Sequence, residues 1–199
     1  MKKLLPSFYL NPDVVEVAKQ LLGKYLCTDF GEGLTIGKIV ETEAYCGATD
    51  KACHAHFKRT KRNSIMFAKG GVAYVYLCYG VHHLFNVVTN QEGLADAVLI
   101  RGVEPMEGIE LMLKRRGFSH LVHSLTAGPG AMSKALGITT DHYGTDLCGN
   151  KIWIADEGVV IPENQIIASP RVGVAYAEED ALLPWRFRIK GNPWSSKAK

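Results

Sequence analysis

A chain of 199 residues, 47% hydrophobic and 22% charged, has the length and composition of one folded domain with a core of its own. These values exclude disordered, fibrous and supercharged classes. Lys+Arg 23 against Asp+Glu 20 gives a net charge of +3, which permits nucleic-acid binding without demanding it. No run approaches the ~18 apolar residues of a membrane helix, so no membrane partner is expected. Met1-Lys-Lys-Leu-Leu5 begins like a signal peptide, but Pro6 cuts the apolar run and no small-residue cleavage site follows. The five cysteines are odd in number and scattered, which predicts reduced thiols in a cytoplasmic protein, or a nuclear one in a eukaryote.

In chain order, Asn11-Pro12-Asp13 predicts a helix start, with Asn11 as cap and Pro12 at the first helical position. Val14, Ala18, Leu21 and Leu22 then recur at helical spacing until Gly23. Residues 34–45 read as a strand, with Val40, Thr42 and Ala44 on one face and Glu41, Glu43 and Tyr45 on the other. Residues 46–71 read as a short helix and a long polar loop. Val72–Tyr79, Leu84–Thr89 and Ala97–Val103 are aromatic and β-branched, and predict three more strands. Strands so close in sequence predict an antiparallel sheet.

Glu107–Arg116 and Pro129–Leu136 read as helices, the second opening at Gly128 and closing at Gly137. Lys151–Ala155, Ile166–Ala168, Val172–Val174 and Phe187–Ile189 are short strand candidates. The ends, 1–7 and 191–199, are expected to be flexible, with fraying from Lys190 onward. No repeat or linker divides the chain, so the fold class is α+β, a single mixed domain.

The residues that carry chemistry cluster in the first half. Glu41 and Glu43 share a strand face with Tyr45, and a carboxylate at the mouth of a cleft can activate water as a general base. Tyr74 and Tyr76 share a face, whereas Tyr79 lies at the turn before Gly80, where it can project. A projecting aromatic can wedge between base pairs, and Tyr76 can stack on an extruded base. Lys58, Arg59, Lys61 and Arg62 place four cations within five residues, a pattern suited to phosphates. Cys46, Cys53, His54 and His56 raise a metal or thiol reading, as in a small-molecule hydrolase, but their spacing lacks the paired pattern of structural zinc sites, so no metal and no cofactor is expected. A binding module without catalysis would share the basic loop and tyrosines, but it leaves Glu43 without a task.

These residues resemble the alkyladenine DNA glycosylases, the 3-methyladenine DNA glycosylases of the alkylpurine type. The resemblance rests on Val40-Glu-Thr-Glu-Ala-Tyr45, Arg62-Asn63, Met66-Phe67, Tyr74-Val-Tyr76, Tyr79-Gly80, Asn86, Leu99-Ile-Arg101 and Glu104-Pro105, in that order. Ala127-Gly-Pro-Gly130, Arg171-Val-Gly-Val174 and Arg186-Phe187 continue it, so it spans about Phe8 to Ile189. It implies a curved antiparallel sheet with surrounding helices, and hydrolysis of the N-glycosidic bond of alkylated purines, with hypoxanthine and ethenoadenine as further candidates. It implies action on double-stranded DNA that contains alkylated or deaminated purines; a monomer is expected because one flipped base needs one pocket and no dimer seam is marked. Glu43 would be the general base, and Arg101 would hold the backbone or the catalytic water. Tyr45, His54 and Tyr76 would line the base pocket, Asn86 would form its floor, and Tyr79 would fill the gap left by the flipped nucleotide. A cationic alkylated purine between Tyr45 and Tyr76 would gain from ring–cation attraction. No lysine lies within Val40–Tyr45, the segment that resembles the family's catalytic strand, so no lyase step is expected.

Overall fold

The computed structural model describes residues 1–197 and is organised around one long strand, β3 (Leu34–Tyr45). One edge of β3 pairs along its length with β6 (Asp96–Glu107). Its other edge is shared: the first half pairs with β2 (Tyr25–Asp29) and Glu41–Glu43 pair with β9 (Arg186–Ile189). Beyond β6 come β5 (His82–Thr89) and β4 (Ala73–Cys78), and beyond β2 come β7 (Ile152–Asp156) and β1 (Lys2–Lys3). With β8 (Ile166–Ser169) on β9, the result is a nine-stranded sheet in which every pair is antiparallel. The expected α+β class and antiparallel sheet are thus present.

The faces of the central strands follow the two-residue alternation. Val40, Ala44, Val75, Phe85, Val87, Val98 and Ile100 point into the main core. That core is closed by α2 (Val14–Gln20) over β3 and β6, and by α3 (Ile109–Arg116) and α4 (Pro129–Ala135), the latter over β5 and β6. Thr42 is anchored on the same side, its hydroxyl donating to the Ala18 carbonyl at 2.8 Å. The opposite face carries Glu43, Tyr45, Tyr74, Tyr76 and Asn86.

Several expectations need correction. The cap of α2 is Asp13, not Asn11: its carboxylate accepts from the N–H groups of Val15 and Glu16, both at 3.0 Å, while Asn11 accepts from Asp13 N–H one step earlier. Strand β2 had no clear sequence signal, because Tyr25-Leu-Cys-Thr-Asp29 is short and follows the helix directly. Val172–Val174 is a bend rather than a strand, because Val172 N–H is spent on a side chain. Residues 46–71 hold turns and a 3₁₀ segment, Ser64–Phe67, in place of an α-helix.

The ends are tied down. Lys2 and Lys3 pair with β7, and α1 (Pro6–Tyr9) buries Tyr9 in the core. The expected fraying after Lys190 does not occur through Ser196, where Trp194 and Ser196 are buried. Gly102 permits this, since a Cβ there would meet the Trp194 carbonyl at 2.8 Å. The last two residues of that expected tail lie outside the described residues.

Candidate active site

The register sets a row of residues across four strands: Tyr74 pairs with Asn86, Asn86 with Leu99, and Leu99 with Glu43. Directly paired residues share a face, so this row underlies one cleft. The cleft has a volume of about 640 Å³, and Tyr45, His54, Tyr74, Tyr76, Asn86 and Arg101 line it.

Glu43 is fully buried one layer behind this wall. Its Oε2 accepts from the Tyr45 hydroxyl at 2.8 Å and faces Arg101 Nη1 at 3.3 Å. Its Oε1 accepts from Val172 N–H at 2.9 Å. Three groups of the wall therefore hold one carboxylate. Burial, and then the adjacent Glu43 carboxylate, raise the Tyr45 hydroxyl well above the ordinary tyrosine range, so it stays a protonated donor.

Arg101 reaches Glu43 because of an irregularity in the ladder. Glu41 pairs with Gly102 and Thr42 with Ile100, which leaves Arg101 as the extra residue of a β-bulge. Its guanidinium then spans both acids, with Nε donating to Glu41 Oε1 at 2.9 Å. Glu41, which the sequence left without a task, is the hub behind the site. It accepts from Arg186 Nε at 2.7 Å, from Ser196 N–H at 2.6 Å and from the Ser196 hydroxyl at 2.9 Å. Burial opposes the charge of Glu41, but Arg101, Ser196 and Arg186 outweigh it and hold its carboxyl below the ordinary range. Likewise, burial opposes the Arg101 charge, and Glu43 and Glu41 outweigh it.

A second buried ion pair supports the aromatic wall. Arg171 makes a bidentate contact with Asp50, and its Nη1 donates to the Ala44 carbonyl at 2.8 Å. Its guanidinium lies 4.7 Å from the Tyr45 ring centre. Nothing in the sequence marked Asp50 or Ser196 as part of the site, because buried pairing of charges is a tertiary property. Arg171, Val172 and Arg186 belonged to quoted motifs but had no assigned role.

On the far wall, Tyr74 and Tyr76 lie 5.3 Å apart at a 30° tilt, and the His54 ring meets Tyr76 edge-on at 4.7 Å. His54 Nδ1 bonds to the Tyr74 hydroxyl at 3.0 Å. Burial lowers the basicity of His54, and Arg62 lowers it further. Asn86 is buried, and its amide donates to the Tyr74 carbonyl at 3.0 Å, which fixes it in the cleft floor.

Tyr79 lies beyond the end of β4, in the turn, and is 90% exposed. Val81 N–H closes the turn on the Cys78 carbonyl at 3.2 Å. Tyr79 has φ +50° and Gly80 φ +72°. Only a glycine takes this left-handed conformation without strain, so Tyr79 holds its projecting position at a cost of about 1–2 kcal/mol.

The four cations of the basic loop do not act as one set. All four are exposed, and Arg59 lies over the Phe67 ring at 5.2 Å. Arg62 alone of the four lines the cleft, with its guanidinium 5.0 Å from the Tyr76 ring centre. Within the cysteine and histidine cluster, Cys53 and His56 are engaged by backbone carbonyls, whereas His54 lines the cleft. The Cys53 thiol donates to the Ala95 carbonyl at 3.6 Å and burial pushes it up to about 12, while His56 Nδ1 bonds to the Gly47 carbonyl at 3.2 Å.

Comparison with known proteins agrees with this arrangement. The family model for methylpurine-DNA glycosylase matches residues 7–193. A Chlamydia felis protein, provisionally named a 3-methyladenine DNA glycosylase, is 46% identical over 94% of this chain and 96% of its own. Proteins with the same provisional name from Methanocella arvoryzae and Alkaliphilus oremlandii are 44% and 45% identical, each over 98% of this chain and at least 96% of their own. A match over nearly the whole chain, together with an acid held behind an aromatic cleft, shows that this chain belongs to the methylpurine-DNA glycosylase family.

Proposed function

We propose that this protein excises damaged purines from double-stranded DNA, alkylated bases such as 3-methyladenine and 7-methylguanine with hypoxanthine and ethenoadenine as further candidates, by hydrolysing the N-glycosidic bond. The observation that carries the reading is the buried Glu43 carboxylate, oriented by Tyr45, Arg101 and Val172 behind an aromatic cleft of about 640 Å³.

A base inside a duplex is out of reach of such a cleft and must be extruded, at a cost of a few kcal/mol that is lower for damaged or poorly paired bases. Tyr79, at the exposed turn, fills the vacated space in the duplex. The extruded purine stacks among Tyr45, His54 and Tyr76, and Asn86 at the floor disfavours purines that carry the exocyclic amine of guanine. As the glycosidic bond lengthens, positive charge develops on the sugar. The step requires a water admitted through the wall beside Tyr45 and Arg101; Glu43 accepts a proton from it as it attacks the sugar carbon, and the purine leaves with the bonding electron pair. Arg101 pairs with Glu43 and orients the water. The exposed Lys58, Arg59 and Lys61 contact phosphates.

No lysine takes part, so the reaction passes through no Schiff base and leaves the strand intact. One flipped base needs one cleft, so the monomer is the active form. The test is release of free purine from a methylated duplex by the purified protein, in the presence of chelator, with borohydride added in parallel. Release without a trapped DNA adduct is expected. A borohydride-trapped adduct overturns the monofunctional mechanism, and no release from methylated or hypoxanthine-containing duplex overturns the glycosylase reading.

A further inference from the structure

Two guanidiniums lie against the tyrosines of the cleft, Arg171 at Tyr45 and Arg62 at Tyr76. They are electrostatically unequal. Arg171 is buried in its bidentate pair with Asp50, so the two together bring no net charge. The four ionised groups behind the wall also balance, with Glu41 and Glu43 against Arg101 and Arg186. Among the described residues Arg62 forms no ion pair, and its Nη2 donates to the neutral Leu77 carbonyl at 3.2 Å. The cleft therefore carries one uncompensated positive charge, placed at the ring on which a base would stack.

A purine alkylated on a ring nitrogen carries positive charge within DNA, whereas hypoxanthine and ethenoadenine are neutral. Ring–cation attraction favours the first group. The Arg62 charge opposes it, because a cation against Tyr76 enters the field of a guanidinium already there. The neighbouring imidazole experiences the same field: after desolvation, Arg62 lowers the basicity of His54 further.

We propose that Arg62 is a specificity-determining residue that disfavours cationic purines in the cleft and shifts selectivity toward neutral purine lesions. The proposal rests on the glycosylase reading above. Two like charges roughly 8 Å apart near a protein surface repel enough to shift an equilibrium by about tenfold or more. Arg62 is solvent-exposed, and salt screens it, so about three- to tenfold is expected at low ionic strength.

The experiment compares single-turnover release from two duplexes of one sequence, carrying 7-methylguanine or hypoxanthine at the same position. Any contact of Arg62 with the DNA backbone is common to both and cancels in the ratio. Arg62→Gln should raise the ratio of 7-methylguanine to hypoxanthine release about three- to tenfold, and Arg62→Lys, which keeps the charge, should leave it within about twofold. In the unmodified protein the same ratio should rise as salt is added, a readout that needs no variant. An unchanged ratio in Arg62→Gln, an equal fall in both rates, or a ratio insensitive to salt overturns the proposal. Release of neither base by the unmodified protein overturns the glycosylase reading itself.

Discussion

The Tyr45 hydroxyl donates to Glu43 Oε2 at 2.8 Å, across two residues of one strand. The ring that lines the cleft and the carboxylate behind it are therefore one rigid unit, which Arg171 supports from the Tyr45 side and Arg101 from the Glu43 side. On the proposed function, a base stacked on Tyr45 would be placed relative to Glu43 through that hydrogen bond.

Replacing Glu43 by Gln keeps an acceptor for Val172 N–H and removes the base. Purine release should fall at least about 100-fold, in line with the usual worth of a general base, while lesion-duplex affinity changes little. Tyr45→Phe keeps the stacking ring and drops the bond to the carboxylate, and a charge-assisted bond of about 1.5–3 kcal/mol corresponds to a loss of roughly 10- to 100-fold. Near-normal turnover of Glu43→Gln would remove Glu43 from the mechanism.

Glu41 predicts acid sensitivity. Its folded-state pKa is depressed, so its contribution to stability is full above the unfolded value of about 4.3 and is lost as pH falls through the lower folded value. Glu41→Gln leaves Arg101 and Arg186 buried with less compensation and should cost about 3–5 kcal/mol near neutral pH. Thermal unfolding scanned from pH 7 to pH 3 should show the gap between the two proteins closing at the acid end. A gap that stays constant across that range would count against the ion-pair account.

Tyr79→Gly separates stability from function. Relief of the left-handed tyrosine gains about 1–2 kcal/mol, and the added freedom of the unfolded chain offsets about 0.5–1 kcal/mol. The variant should match or exceed the parent in urea midpoint while binding abasic or lesion duplex more weakly. Undiminished duplex affinity would exclude the wedge role.

Lys61→Ala should weaken duplex binding evenly across sequences and lower the slope of log affinity against log salt by about one unit. If titrations at several salt concentrations give an unaltered slope, Lys61 makes no phosphate contact.

Much of this site can be read along one strand. Period-two alternation in residues 34–45 places Glu41, Glu43 and Tyr45 on one face, and the bounds of β3 match that reading. The tyrosines of β4 and the Asn86 strand follow from the same rule. The rule breaks down at Tyr79, where the strand has already turned, and at Arg101, which a bulge re-aims. It also gives no sign that the segment after Lys190 is held: Ser196 reaches Glu41 across 155 positions, and no local pattern encodes such a contact.

What the sequence by itself determined was the set of chemical groups and the faces they occupy, because strand alternation and helix spacing are local properties of the backbone. It also carried the family, through motifs kept in order along nearly the whole chain. Only the tertiary structure decided which charges are compensated. Glu41 and Glu43 are neighbours of equal chemistry in the sequence, yet one is engaged by Arg186 and Ser196 and the other by Tyr45 and Val172. Lys58, Arg59, Lys61 and Arg62 are one basic run, yet only Arg62 turns into the cleft. The physical reason is that Coulomb energy and desolvation depend on distance and burial in three dimensions, and those are fixed when strands far apart in sequence are packed side by side.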